Sequence, residues 1–158
     1  MSMTTELKTG EAVRAHYGAP YDAALGKEMK RLDRHCRAFI EAAPFVVIAT
    51  ADASGRADAS PRGDAPGFVA VHDDTTILIP DRRGNNRVDT MMNIAQTPHV
   101  GLLFMVPGRP ETLRVNGGAR ITIDPARLAP LAAGGRPPEA AIVVAIEEVY
   151  FQCGKALI

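Results

Sequence analysis

A short segment between a strand-like run and a helix-like run concentrates arginine and asparagine. This segment, residues 79–87, has the sequence IPDRRGNNR, with three arginines and two asparagines. The first N–H groups of a helix are unpaired and lie at the positive end of its dipole, so anions bind there, and arginine adds bidentate hydrogen bonds to phosphate oxygens. The pattern predicts a phosphate site. The alternative that the segment alone leaves open is that Asn85 caps the helix while the arginines lie in water.

Other patterns that could support chemistry are weak. The histidines lack the spacing of metal ligands, so we predict no metal site. The serines lie outside a G-x-S-x-G sequence, and neither G-x-G-x-x-G nor G-x-x-x-x-G-K-[ST] occurs. The sequence therefore leaves the catalytic residues unknown.

Length and charge limit the class of protein. A chain of 158 residues fits one domain, 1–158, and 46% hydrophobic with 23% charged residues is typical of a globular protein. The formal net charge is zero, so we predict no nucleic-acid partner. With no signal-peptide pattern and no long apolar run, we predict no membrane partner and a cytoplasmic location. Cys36 and Cys153 lie far apart in sequence, and we expect both to be reduced.

An amphipathic segment precedes the first strand. Between Asp22 and Ala43, apolar residues recur at steps of three and four, the spacing of one helical face. We therefore predict an N-terminal arm over 1–21 and one helix over 22–43, with Asp22 as its N-cap and Pro44 ending it. The apolar face consists of Leu25, Met29, Leu32, Cys36, Phe39 and Ile40.

Strand-like runs separated by turn residues fill 45–152. Because they follow one another through short connections, they favour an antiparallel α+β domain. We predict a six-stranded, closed or partly closed barrel with flanking helices, one of them over 86–96, since closure removes exposed strand edges. In the run 112–123, alternation predicts that Thr112, Arg114 and Asn116 share one face while Leu113 and Val115 face the core.

Four segments in order resemble one family. They are ASPRGD (59–64), IPDRRGNNR (79–87), NIAQTPHVGLLF (93–104) and ETLRVNGGAR (111–120). Together they resemble the FMN-binding members of the pyridoxamine 5′-phosphate oxidase-like superfamily, in particular its uncharacterised FMN-dependent branch, over about residues 45–157. The resemblance implies a split barrel, a homodimer, and FMN bound between the two subunits.

The resemblance also implies which residues contact the cofactor. Ser60 and Arg62 would lie on the strand that passes the flavin ring, Pro80 and Asp81 beside the ribityl chain, Arg82, Asn86 and Arg87 at the phosphate, and Thr112 near the ring from the partner region.

The function that follows is an FMN-dependent oxidoreductase acting on an unidentified small-molecule substrate. The cofactor would supply the chemistry, which agrees with the lack of an evident catalytic acid or base. Two alternatives stay open at this point: a non-catalytic flavin-binding or flavin-sensing protein, and a split barrel that binds deazaflavin F420 or haem.

Overall fold

A computed structural model describes residues 6–152 and 154, and the described chain is α+β, as predicted. The helices are α1 (Gly10–Tyr17), α2 (Asp22–Leu25), α3 (Arg34–Ala42), α4 (Asp89–Gln96) and α5 (Pro125–Leu128), followed by a 3₁₀ turn at Ala129–Leu131. The strands are β1 (Phe45–Ala51), β2 (Ala57–Gly63), β3 (Ala70–Asp73), β4 (Thr76–Asp81), β5 (His99–Met105), β6 (Thr112–Thr122) and β7 (Ala140–Gln152). Every helix in this part of the chain is too short or too polar to cross a bilayer.

The strands form one antiparallel sheet in the order β2-β1-β5-β6-β7-β4-β3. The predicted count of six strands is wrong, because residues 6–152 already contain seven. The sheet is also open, since β2 and β3 each pair with one neighbour only. The four-residue β3 pairs along part of β4, and the polar β2 leaves its outer edge unpaired, so backbone hydrogen bonds do not close the ring.

One side of the curved sheet encloses the main core. On β1, Val46 and Ile48 are fully buried, whereas Phe45 and Val47, which alternate with them, are only half-buried. On β6, Leu113 and Val115 are fully buried and face this core, which confirms the predicted alternation. A second, smaller cluster lies on the other side of the sheet. It consists of Leu78, Leu128, Leu131, Ala141 and Val143.

The predicted continuous helix over 22–43 is wrong. Helix α2 ends at Leu25, which is half exposed, and α3 begins only at Arg34. Between them, Met29 exchanges two backbone hydrogen bonds with Val149 of β7, at 2.9 and 2.8 Å. These tertiary hydrogen bonds replace helical ones, because the backbone N–H and C=O of Met29 cannot serve both.

Helix α3 keeps the buried half of the predicted apolar face. Cys36 and Ile40 are fully buried, and Leu32 just before the helix is 3% exposed. The N-cap is Asp33, not Asp22: its carboxylate accepts the Cys36 N–H at 2.8 Å. Burial raises the pKa of the Cys36 thiol to about 11, so this thiol stays protonated at neutral pH. Cys153 lies outside the described residues.

The antiparallel pairing of β6 and β7 contains a β-bulge. The register shifts between Asn116 and Gly117, so that Glu147 is the extra residue on β7. A side chain at Gly117 would place its Cβ 2.0 Å from the Ala145 carbonyl oxygen. Glycine is therefore required here by the close approach of two backbones.

Candidate functional site

One cavity of about 850 Å³ opens between β2, the segment after β4 and the start of α4. Its lining includes four arginines and four carboxylates, so its charge is balanced rather than uniformly basic. A volume of this size is in the range that small ligands and cofactors occupy. The lining residues are 58–62, 81–90 and Glu139.

Strand β2 contributes a row of polar side chains to this cavity. Asp58, Ser60 and Arg62 alternate with exposed neighbours and are half-buried. Each is paired across the ladder with an inward-facing residue of β1, so the row lies on the same side of the sheet as the core. The described residues supply none of the three side chains with a hydrogen bond or an ion pair. A half-buried polar row without protein partners is available to water or a ligand.

Arg82 connects the ends of two strands. Its Nε donates to an Asp64 carboxylate oxygen at 2.8 Å, and its Nη1 donates to the Leu131 carbonyl oxygen at 2.7 Å. Two hydrogen bonds hold the pKa of Asp64 below its ordinary value. The one from the Ala65 backbone N–H has the larger effect, and the one from Arg82 has the smaller. Asp64 follows β2 and Arg82 follows β4, so this ion pair bridges the strands that the open sheet leaves apart.

The segment 83–88 forms a turned loop, not the first turn of a helix. The predicted helix start at Asn86 is wrong, because α4 begins at Asp89 after Val88 in the left-handed region, φ 50°. Asn86 also has a positive φ of 63°. Asn85 does not cap α4; its side chain accepts the Arg87 N–H at 3.2 Å. The Arg87 Nη2 lies 2.8 Å from an Asp89 carboxylate oxygen, and the Arg87 side chain is mostly exposed.

Helix α4 is fixed against the sheet by a buried hydrogen bond. The Asn93 amide donates to the Thr50 hydroxyl at 3.0 Å, and both residues are less than 10% exposed. Such a buried pair is costly to break, because either group alone would be left unsatisfied. The bond therefore holds α4 against β1.

The structure brings together most of the residues predicted to bind a cofactor. Those that line the cavity are Ser60, Arg62, Asp81, Arg82, Asn86 and Arg87. Pro80 and Thr112 do not line it. Pro80 is buried in β4 opposite Ala141. Thr112 lies beside Met105 and has the orientation of Arg114, away from the core, so it is on the far side of the sheet from this cavity.

Sequence reasoning assigned no role to four carboxylates at the site: Asp58, Asp64, Asp89 and Glu139. Asp58, Asp89 and Glu139 line the cavity, and Asp64 holds Arg82. The period-two pattern of β2 could have identified Asp58, because it lies two residues before Ser60 and four before Arg62. The Asp64–Arg82 pair joins residues 18 apart in sequence and gives no local signal.

The polar groups that line the cavity fit a phosphate monoester with a polar chain attached. The guanidinium groups and the loop N–H groups suit phosphate oxygens. The hydroxyl and carboxylate groups of Ser60 and Asp81 suit hydroxyls of a sugar alcohol. FMN has both parts. By contrast, among the residues that the structure describes, the cavity lining includes no His, Cys, Met or Tyr that could ligate a haem iron.

The open antiparallel sheet with its flanking helices and this edge cavity define a split barrel. The family model described as pyridoxamine 5′-phosphate oxidase matches residues 32–153. The chain belongs to this family.

Solved structures agree on the fold. A variant of HupZ from Group A Streptococcus is 22% identical with a TM-score of 0.62, and the match covers 76% of this chain and 98% of that one. A candidate pyridoxamine 5′-phosphate oxidase from Lactobacillus delbrueckii is 21% identical with a TM-score of 0.63, covering 78% and 98%. HutZ, the haem storage protein from Vibrio cholerae, is 12% identical with a TM-score of 0.52, covering 78% and 94%. At these identities the likeness concerns the fold alone. No curated protein matches the chain.

Proposed function

We propose that the protein is an FMN-dependent oxidoreductase that acts on a small molecule. The observation that supports this best is the cavity in which an arginine-rich loop faces an unpaired polar row on β2, in a chain of the pyridoxamine 5′-phosphate oxidase family. The loop would hold the phosphate and the row would face the rest of the cofactor. When bound, FMN supplies reversible transfer of electrons or hydride.

The phosphate would bind at the loop. Arg87 and Asn86 are exposed there, and Arg82 has N–H groups left beyond the two that bind Asp64 and Leu131. The anion would compete with Asp89 for Arg87, because their ion pair is solvent-exposed and therefore weak. Pro80 ends the run of buried β4 residues beside the cavity, and Asp81 would accept hydrogen bonds from the ribityl hydroxyls.

A homodimer would complete the site. The outer side of β1 and β5 has four half-buried apolar residues, Phe45, Val47, Leu103 and Met105, which we call the outer patch. Thr112 lies next to Met105 on the same side and is 7% exposed, so any cofactor that it approaches would lie in the cavity of a second chain and would contact only the edge of its side chain. A second copy packed on the outer patch would cover apolar area and bring Thr112 to the ring of its partner.

A charged substitution in the outer patch should dissociate the proposed dimer. Leu103→Glu would place two like charges in the isologous interface, and we expect the dissociation constant to rise about a hundredfold or more. Light scattering at low micromolar concentration should show a dimer for the parent and a monomer for the variant. Ile123→Glu, which alters an exposed residue outside the patch, should stay dimeric. A Leu103→Glu variant that is still a dimer would contradict this interface.

The proposed cofactor has a direct test. The purified protein, supplied with FMN and then desalted, should retain about one FMN per chain, measured from its flavin absorbance. Reduction of that flavin by NADH or NADPH, followed by reoxidation, would support an oxidoreductase. Retention without any reduction would favour the non-catalytic flavin-binding or sensing alternative, and failure to retain FMN would overturn the proposal.

A haem-binding function is the second candidate, and it is favoured by the likeness to HutZ. The cavity does not favour haem, because its described lining has no side chain of the kinds that ligate haem iron. The lining also has few apolar groups that could contact a porphyrin. Titration with haemin should give no Soret band shift comparable to that of a ligated haem. Deazaflavin F420 would be distinguished from FMN by its own absorbance spectrum.

A further inference from the structure

Helix α1 is well specified by its sequence, but residues 6–152 offer it no surface to pack against. Thr9 caps its start by accepting the Ala12 N–H at 3.2 Å, and Gly18 ends it at a φ of 74°, which favours glycine. No residue of α1 is buried by the described chain, and Val13 and Tyr17 on one side of it are 41% and 75% exposed. An eight-residue helix is only marginally stable in water, because most helical stability comes from packing of an apolar face. The described chain does not supply that packing, which points to a second molecule.

An apolar groove lies beside the outer patch. It has a volume of about 520 Å³ and is lined by Phe45 and residues 105–110. Phe45 and Met105 belong to both the groove and the outer patch, so the two surfaces are continuous. The prolines of the groove add flat apolar faces, and Arg109 adds an exposed cation. Such a groove suits a tyrosine, whose ring packs on apolar groups and on a guanidinium while its hydroxyl stays in water.

Helix α1 is attached at the margin of the face that contains the outer patch. Met29 is fixed to Val149 at the edge of β7 by two backbone hydrogen bonds. Strands β7, β6, β5 and β1 are successive neighbours, so the outer patch lies two to three strand spacings away, about 10 to 15 Å. The chain from Met29 back to Tyr17 can span roughly 30 Å even with α2 helical. Tyr17 can therefore reach a second copy packed on the outer patch, since stacked sheets lie about 10 Å apart.

The outer patch alone is small for a stable dimer. Each partner of a stable interface usually buries about 800 Å², far more than four half-buried side chains expose. On the basis of the proposed dimer, we propose that α1 of each chain packs into the groove of its partner, with Tyr17 as the anchoring side chain. The route from Met29 to the groove of the same chain crosses the outer side of β6 and β5, which the second copy would cover. In a two-fold dimer each chain gives one helix and receives one, so both grooves are filled.

A photoreactive side chain at position 17 tests where α1 lies. Tyr17→p-benzoylphenylalanine keeps an aromatic ring and bonds covalently to a neighbouring C–H group when it is illuminated. We expect a covalent dimer on a denaturing gel, with the bond mapped by mass spectrometry to Phe45 or residues 105–110 of the partner. Ile123→p-benzoylphenylalanine is the matched control, because Ile123 is also 75% exposed but lies outside the patch and the groove. It should give no covalent dimer.

Truncation of the same side chain measures its contribution to the dimer. Tyr17→Ser should raise the dimer dissociation constant about tenfold or more, because aromatic side chains buried at an interface contribute much of the affinity and each dimer loses two of them. Ile123→Ser should leave the constant unchanged. Analytical ultracentrifugation over a range of protein concentrations gives both values.

The outcomes separate this proposal from the proposed dimer. If Leu103→Glu dissociates the parent dimer, but position 17 gives no covalent dimer and Tyr17→Ser associates as tightly as the parent, the exchange of α1 is overturned while the interface stands. A cross-link within one chain, or to partner residues outside the groove, would overturn it too. A monomeric parent protein would overturn both proposals.

Discussion

Gly117→Ala should destabilise the fold by at least about 3 kcal/mol, the upper end of the usual cost of forcing an extra methyl group into a packed site. The new Cβ would lie 2.0 Å from the Ala145 carbonyl oxygen and 3.0 Å from its carbon, and backbone atoms of β7 cannot rotate away as a side chain would. For a chain of this length, we expect the melting temperature to fall by about 6 to 12 °C. Thermal unfolding followed by circular dichroism gives the value.

The adjacent glycine provides a matched control. A Cβ at Gly118 would meet its nearest atoms at 3.7 and 3.8 Å, which is ordinary contact. Gly118→Ala should therefore melt close to the parent. Equal losses in the two variants would show that glycine at this bulge is required for its backbone freedom and not for the close approach of β6 and β7.

Arg87→Ala should weaken FMN binding about tenfold to a hundredfold. A hydrogen bond to a charged group contributes roughly 1.5 to 3 kcal/mol, and Arg87, which is exposed in the loop, needs to give up only a weak ion pair with Asp89. The affinity is measured by quenching of flavin fluorescence. Added salt should also weaken FMN binding to the parent protein, because the phosphate contact is solvent-accessible.

Riboflavin, which lacks the phosphate, is the control ligand, and Arg120→Ala is the control variant. Arg120 is exposed on β6 and does not line the cavity. Riboflavin affinity should change little in Arg87→Ala, and Arg120→Ala should bind both ligands as the parent does. Equal losses of FMN and riboflavin in Arg87→Ala would indicate damage to the fold instead, and no loss of either would show that Arg87 is only a solvated side chain.

Local sequence patterns predicted the strands better than the helices. The alternation in β6 located Leu113 and Val115 in the core, since a strand with one buried face has a period of two whatever its neighbours are. The helix over 22–43 had an equally regular pattern and was wrong. Met29 fits the helical spacing, yet it pairs with Val149, 120 residues later in the sequence, and no local pattern contains that contact.

For the candidate site, the sequence identified the residues that share a loop but not the way they are held. Arg82, Asn86 and Arg87 were predicted together because they are close in sequence. That Arg82 is bound by Asp64 and the Leu131 carbonyl depends on how the sheet curves, which residue types do not encode locally. The start of α4 at Asp89 was missed for a related reason, because Val88 in a left-handed conformation is a rare choice for a β-branched residue.

The Asp64–Arg82 ion pair makes the junction between β2 and β4 sensitive to protons. A carboxylate whose pKa is lowered in the folded state stabilises that state above its unfolded pKa, and the stabilisation is lost as the pH falls through the folded value. The paired strands of the sheet are held by backbone hydrogen bonds that do not titrate, but this junction depends on a charged side chain. Acidification should therefore loosen the mouth of the cavity before it unfolds the barrel.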